Sequence, residues 1–116
     1  MCIRDRTGAG GGNQIFGSAA GTDVLTAGSG RDSILGGGAT TTINGGATAS
    51  VIFTGGGPTT VADGTGGQNT IVGGTGTVSV TATNGDAIFG NEGALNVVGS
   101  TAKDGVAPRS LSLIHI

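Results

Sequence analysis

Tryptophan and tyrosine are absent from this 116-residue chain, and cysteine, methionine and histidine occur once each, as Cys2, Met1 and His115. Those three lie within six residues of an end, so the stretch from Thr7 to Ser110 holds none of the five types. That stretch offers no thiol nucleophile, no imidazole base and no Cys/His zinc set. Cations are scarce too: Arg31, Lys103 and Arg109 stand against Asp23, Asp32, Asp63, Asp86, Glu92 and Asp104. Nucleic acid binding calls for a basic face and usually for aromatic platforms, and neither is present. No apolar run approaches the ~20 residues needed to span a bilayer.

Glycine is what the chain has in abundance, 27 residues in all, and it is periodic. Aligning the chain on one aliphatic residue per repeat gives Ile15, Leu25, Ile34, Ile43, Ile52, Val61, Ile71, Val80, Ile88, Val97 and Val106. Eighteen Val, Ile or Leu residues lie between Thr7 and Ser110, and eleven of them fill this single column. With the aliphatic residue at position 8 of a nine-residue unit, glycine favours positions 1, 2 and 4, as in Gly36-Gly37 and Gly73-Gly74-Thr75-Gly76. Glycine permits sharp corners where a Cβ would clash. Each corner is followed by a short β-prone stretch such as Thr-Thr-Ile or Val-Ser-Val. Short strands separated by glycine corners predict an all-β coil, each strand stacked in parallel about 4.8 Å from an earlier one. Position 8 then forms the interior column, with no helix of two turns between residues 8 and 107.

One unit is more specific. Ala27-Gly28-Ser29-Gly30-Arg31-Asp32-Ser33-Ile34-Leu35 resembles the RTX (hemolysin-type calcium-binding) nonapeptide G-G-x-G-x-D-x-U-x with one glycine replaced, and Gly21-Thr22-Asp23-Val24-Leu25 keeps its second half. The resemblance extends over residues 8 to 107 as about eleven units, most of them degenerate. It implies a right-handed parallel β-roll or β-solenoid with two units per coil and calcium held in the turns. It also implies a place in a large bacterial protein that is secreted or displayed on the cell surface.

The ends resemble something else. MCIRDR can be coded by ATG TGT ATA AGA GAC AGN, whose reverse complement reads CTG TCT CTT ATA CAC AT, or Leu-Ser-Leu-Ile-His, and the chain ends LSLIHI. One inverted tag read from both sides is similar to the translated transposase adapter of sequencing libraries. Residues 1–6 and 111–116 are therefore set aside as non-native segments, leaving 7–110 as a repeat array and a fragment of a longer one.

Position 6, the aspartate of the nonapeptide, departs from the family. It reads Asn13, Asp23, Asp32, Thr41, Ser50, Thr59, Asn69, Val78, Asp86, Leu95 and Asp104. Calcium takes roughly six to eight oxygens, several from carboxylates; valine and leucine supply none, while Thr, Ser and Asn can hydrogen-bond a neighbouring turn. In a two-unit coil, ligands must come from alternate units. The odd-numbered units give Asn13, Asp32, Ser50, Asn69, Asp86 and Asp104; the even ones give Asp23, Thr41, Thr59, Val78 and Leu95. Asp86 and Asp104 are the only carboxylates in neighbouring turns of one edge, with Asn69 next and Asp32 further along. Any calcium is expected there, held weakly, at about 10⁻⁴–10⁻³ M.

Position 9 alternates with the same two-unit period over most of the array: Phe16, Leu35, Phe53, Val72 and Phe89 in the first five odd units, but Thr26, Asn44, Ala62 and Thr81 in the first four even ones. Either these apolar residues fold around the strand end into the core, or they form an outer stripe that docks neighbouring repeats or domains. Threonine pairs on the even units resemble the ladders of ice-binding solenoids, but Val24 and Pro58 interrupt them. A polysaccharide-lyase groove would need clustered charges, whereas the three cations sit in distant units. The expected function is a non-enzymatic spacer or adhesive scaffold. The alternative is a calcium-triggered folding and secretion module of a type I secreted enzyme whose catalytic domain lies elsewhere.

Overall fold

The computed structural model describes residues 3–62, 68–82, 85–98, 105–107 and 114–115. Among them the chain forms thirteen strands, β1 to β13, that alternate between two parallel sheets. The odd-numbered strands are β1 (Ile3–Thr7), β3 (Thr22–Thr26), β5 (Thr40–Asn44), β7 (Thr59–Ala62), β9 (Val78–Thr81), β11 (Leu95–Val98) and β13 (Ile114–His115). They stack in that order as a seven-stranded sheet. The even-numbered strands are β2 (Gln14–Phe16), β4 (Ser33–Leu35), β6 (Val51–Phe53), β8 (Thr70–Val72), β10 (Ala87–Phe89) and β12 (Gly105–Ala107), which stack in order as a six-stranded sheet. The result is an all-β parallel solenoid of the β-roll type, about five turns long, with two repeat units per coil. No helix occurs among the described residues. Odd-numbered repeat units supply the six-stranded sheet, and even-numbered units supply the five inner strands of the seven-stranded one, whose outer strands β1 and β13 come from the two ends of the chain.

The nine-residue column explains the register. Ile15, Ile34, Ile52, Ile71 and Ile88 align across the six-stranded sheet, and Leu25, Ile43, Val61, Val80 and Val97 across the other. All ten are buried. Side chains alternate across a strand, so positions 6 and 8 and position 1 of the following unit point inward together. Position 6 carries polar or aliphatic groups, position 8 the large aliphatics, and position 1 small residues such as Ala27, Thr54 and Ala82, all three buried. Seven strands at about 4.8 Å span roughly 29 Å, close to the longest dimension of 32 Å, while the thinnest, 16 Å, crosses the two sheets.

Glycine is required where one corner rests on another. A Cβ at Gly74 would lie 1.7 Å from the carbonyl oxygen of Gly55, and Gly55 itself has φ +80°. The corners therefore stack backbone on backbone.

All of β1 but Thr7 belongs to the segment set aside on sequence grounds. Its backbone pairs in parallel with β3 from Ile3↔Thr22 to Thr7↔Thr26, and Arg6 and Thr7 are exposed. The Arg6 guanidinium donates to the carbonyl oxygen of Phe16.

Candidate functional site

The two sheets differ in where their strands begin, and that difference decides what position 6 must do. In the seven-stranded sheet position 6 lies inside the strand. Its N–H there donates to the backbone of the next coil: Thr41 to Pro58 O at 2.9 Å, Thr59 to Thr77 O at 2.9 Å, and Val78 to Ala94 O at 2.8 Å. In the six-stranded sheet each strand has three residues and starts at position 7. The position-6 N–H precedes it and meets a side chain instead.

A ladder of side-chain acceptors results. Asn13 N–H donates to Asp32 Oδ1 (2.8 Å), Asp32 N–H to Ser50 Oγ (3.4 Å), Ser50 N–H to Asn69 Oδ1 (2.8 Å), and Asn69 N–H to Asp86 Oδ1 (2.8 Å). The return bonds use backbone: Ser33 N–H to Asn13 O, Val51 to Asp32 O, Thr70 to Ser50 O and Ala87 to Asn69 O, each 2.8 or 2.9 Å. Every coil is thus tied to the next through position 6 in both directions. Asp32, Ser50, Asn69 and Asp86 are all at most 2% exposed. Buried N–H groups need acceptors, and only an oxygen-bearing side chain can serve here.

The seven-stranded sheet has no such need, and its position 6 serves local purposes. Asp23 accepts from the Ser18 hydroxyl at 2.8 Å and from the Ser18 N–H. Thr41 donates to Ala39 O at 3.1 Å, and Thr59 to Thr54 O at 3.0 Å and to Gly57 O at 3.1 Å. Farther along, Val78 and Leu95 fill the same column as buried hydrocarbon.

Of the residues singled out for calcium, Asp32, Asn69 and Asp86 fall in the ladder. Asp32, Asn69 and Asp86 stand along one edge, as the alternate-unit rule requires, and Asp23 lies in the opposite sheet. Asp104 lies outside the described residues. Around Asp32 the donor set does not fit a cation. Its Oδ1 accepts from Asn13 N–H and from Asn13 Nδ2 (3.0 Å), and its Oδ2 accepts from Gly28 N–H (2.9 Å). N–H dipoles pointing at a carboxylate do electrostatically what a cation would. Among the described residues no cluster of three or more His, Cys, Asp or Glu could hold a metal.

A second feature is the outer face of the six-stranded sheet. Phe16, Leu35, Phe53 and Phe89 are 42–49% exposed and Val72 is half-buried, so position 9 turns outward and does not fold into the core. Gln14, Phe16, Ser33, Leu35 and Phe53, with Ile34 beneath, line an open groove of about 390 Å³. Periodicity exposed this stripe but not its direction, since position 9 ends the strand and the chain could turn either way after it. The ladder left a different trace. The odd-unit column is oxygen-bearing throughout while the even-unit column is not.

No helix among the described residues is long and apolar enough to cross a membrane. No protein-family model, curated protein or solved structure matches the chain.

Proposed function

We propose that the chain is a non-enzymatic β-solenoid segment, a spacer or adhesive scaffold, of a large bacterial secreted or cell-surface protein related to the RTX repeats, with at most weak residual calcium binding at Asp86 and Asp104. The observation that carries this reading is the position-6 ladder. In the repeat family that position is tied to calcium; here Asp32, Ser50, Asn69 and Asp86 spend oxygens on N–H groups of the preceding coil. Coil-to-coil cohesion is thereby supplied without an ion. The absence of Cys and His between Thr7 and Ser110 favours a structural role over catalysis. The exposed apolar stripe then serves as the face that meets neighbouring repeats or domains.

Far-ultraviolet circular dichroism in excess EDTA, followed by calcium titration, tests this. A β-sheet spectrum in EDTA that changes little up to millimolar calcium is expected. A chain that is unfolded in EDTA and folds on adding calcium would overturn the reading in favour of a calcium-triggered module.

A further inference from the structure

We infer that the outer face of the six-stranded sheet is a self-association surface, on which two copies of this chain pack about a twofold axis running along the strands. The inference rests on the proposed role of the stripe as a docking face and names its occupant.

Two observations point to a second copy. The stripe is in strict register, Phe16↔Leu35↔Phe53↔Val72↔Phe89, and the backbone pairing continues to Ala107. Aromatic and smaller residues therefore alternate at about 4.8 Å, with rings recurring every 9.6 Å or so. Neither the stripe nor the column beside it on the same face (Gln14, Ser33, Val51, Thr70, Ala87) contains a charge.

Alternation fixes the arrangement. Rotation about an axis parallel to the strands reverses the order of coils but keeps the stripe opposite itself. An axis between β6 and β8 sets Phe53 against Val72 of the second copy and Phe89 against Leu35 of the second copy, with both contacts repeated by symmetry. Phe16 falls opposite the strand position of Ala107. Phe53 and Phe89 then each meet a smaller residue, the large-into-small fit that close packing requires. A twofold axis running instead along the stack would set the same strands opposite each other and forfeit this offset. An alternating surface that complements its own reversal is what an isologous dimer needs; a dissimilar partner would impose no such pattern.

Sedimentation equilibrium of the full chain over micromolar to near-millimolar concentration tests this, with circular dichroism in EDTA recorded on the same samples. A concentration-dependent rise from 10.9 kDa to twice that mass is expected. Phe53→Glu should be monomeric with an unchanged spectrum. Val72→Phe sets ring against ring twice and should weaken the dimer at least about tenfold, and Phe53→Val/Val72→Phe should recover most of that loss because the offset is restored. A parent chain that keeps its β spectrum but stays monomeric overturns self-association and leaves the scaffold reading intact. Tighter association of Val72→Phe, or no recovery in the double variant, overturns the proposed register.

Discussion

A single backbone N–H explains why one column of the repeat keeps its oxygens and the other loses them. At position 6 of the odd-numbered units that N–H is buried and lies one residue before the strand, so its acceptor must be a side chain of the next coil. Asn69 is the clearest case: its Oδ1 accepts from Ser50 N–H at 2.8 Å, and it is 1% exposed. Asn69→Leu leaves the Ser50 N–H buried without an acceptor, which costs about 1–3 kcal/mol. Thr41→Val, at the same position in the other sheet, leaves its backbone bond to Pro58 O untouched and gives up only a hydroxyl contact to Ala39 O. Its expected cost is under about 1 kcal/mol. Urea denaturation of the two variants beside the parent checks the contrast. Equal losses would mean that position 6 acts by packing alone. The sequence displays the two columns, one always polar and one ending in Val78 and Leu95. It does not display the reason, because a nine-residue period is blind to where within each unit the strand starts.

Strands and corners make different demands, and glycine marks the difference. The strands were legible as elements: each aliphatic of the column sits in a strand, and Ile34, Ile43 and Ile52 are fully buried. The corners were legible as glycine, but composition does not say which glycines bear on a neighbouring coil. Gly74 rests on the Gly55 carbonyl, 1.7 Å from where its Cβ would be, whereas a Cβ at Gly56 meets nothing nearer than Thr75 Oγ1 at 3.5 Å. Gly74→Ala must push one corner off the next, because the obstacle is backbone rather than a movable side chain. A loss of about 3 kcal/mol is expected, the upper end of overpacking costs. Gly56→Ala should be neutral or stabilise by about 0.4–1 kcal/mol by restricting the unfolded chain. Thermal melts followed at one β-sheet wavelength distinguish the two. A melting temperature for Gly74→Ala equal to that of the parent would refute the stacked-corner account.

For the whole molecule the structural period is two units rather than one. Each coil contacts only its neighbours, so stability approximates a sum of coils and the interfaces between them. Removing residues 36–53 takes out one entire coil and rejoins Leu35 to Thr54 in phase. Asp32 N–H then meets Asn69 Oδ1 as its acceptor, Asp23 stacks on Thr59, and the aliphatic column stays whole. Removing residues 36–44 takes out a single unit and inverts the phase of everything after it. Short strands from β6 onward must then stack on the longer strands β1 and β3, and β7 must stack on β4. If later strands adopt the geometry of the sheet they join, the ladder requires acceptors from Val78 and Leu95, which have none. If they keep their own geometry, a seam of mismatched strand starts remains between residues 35 and 45, and Phe16 and Leu35 part from Phe53 onto opposite faces. Both outcomes leave buried N–H groups poorly paired, at about 1–3 kcal/mol each. The shorter variant, lacking 36–53, should therefore be more stable than the longer one lacking 36–44. It should also unfold in one transition, with a denaturant slope reduced in proportion to its length. If the variant lacking 36–44 proved the more stable, the nine-residue unit would be the true structural period and the two sheets would be interchangeable.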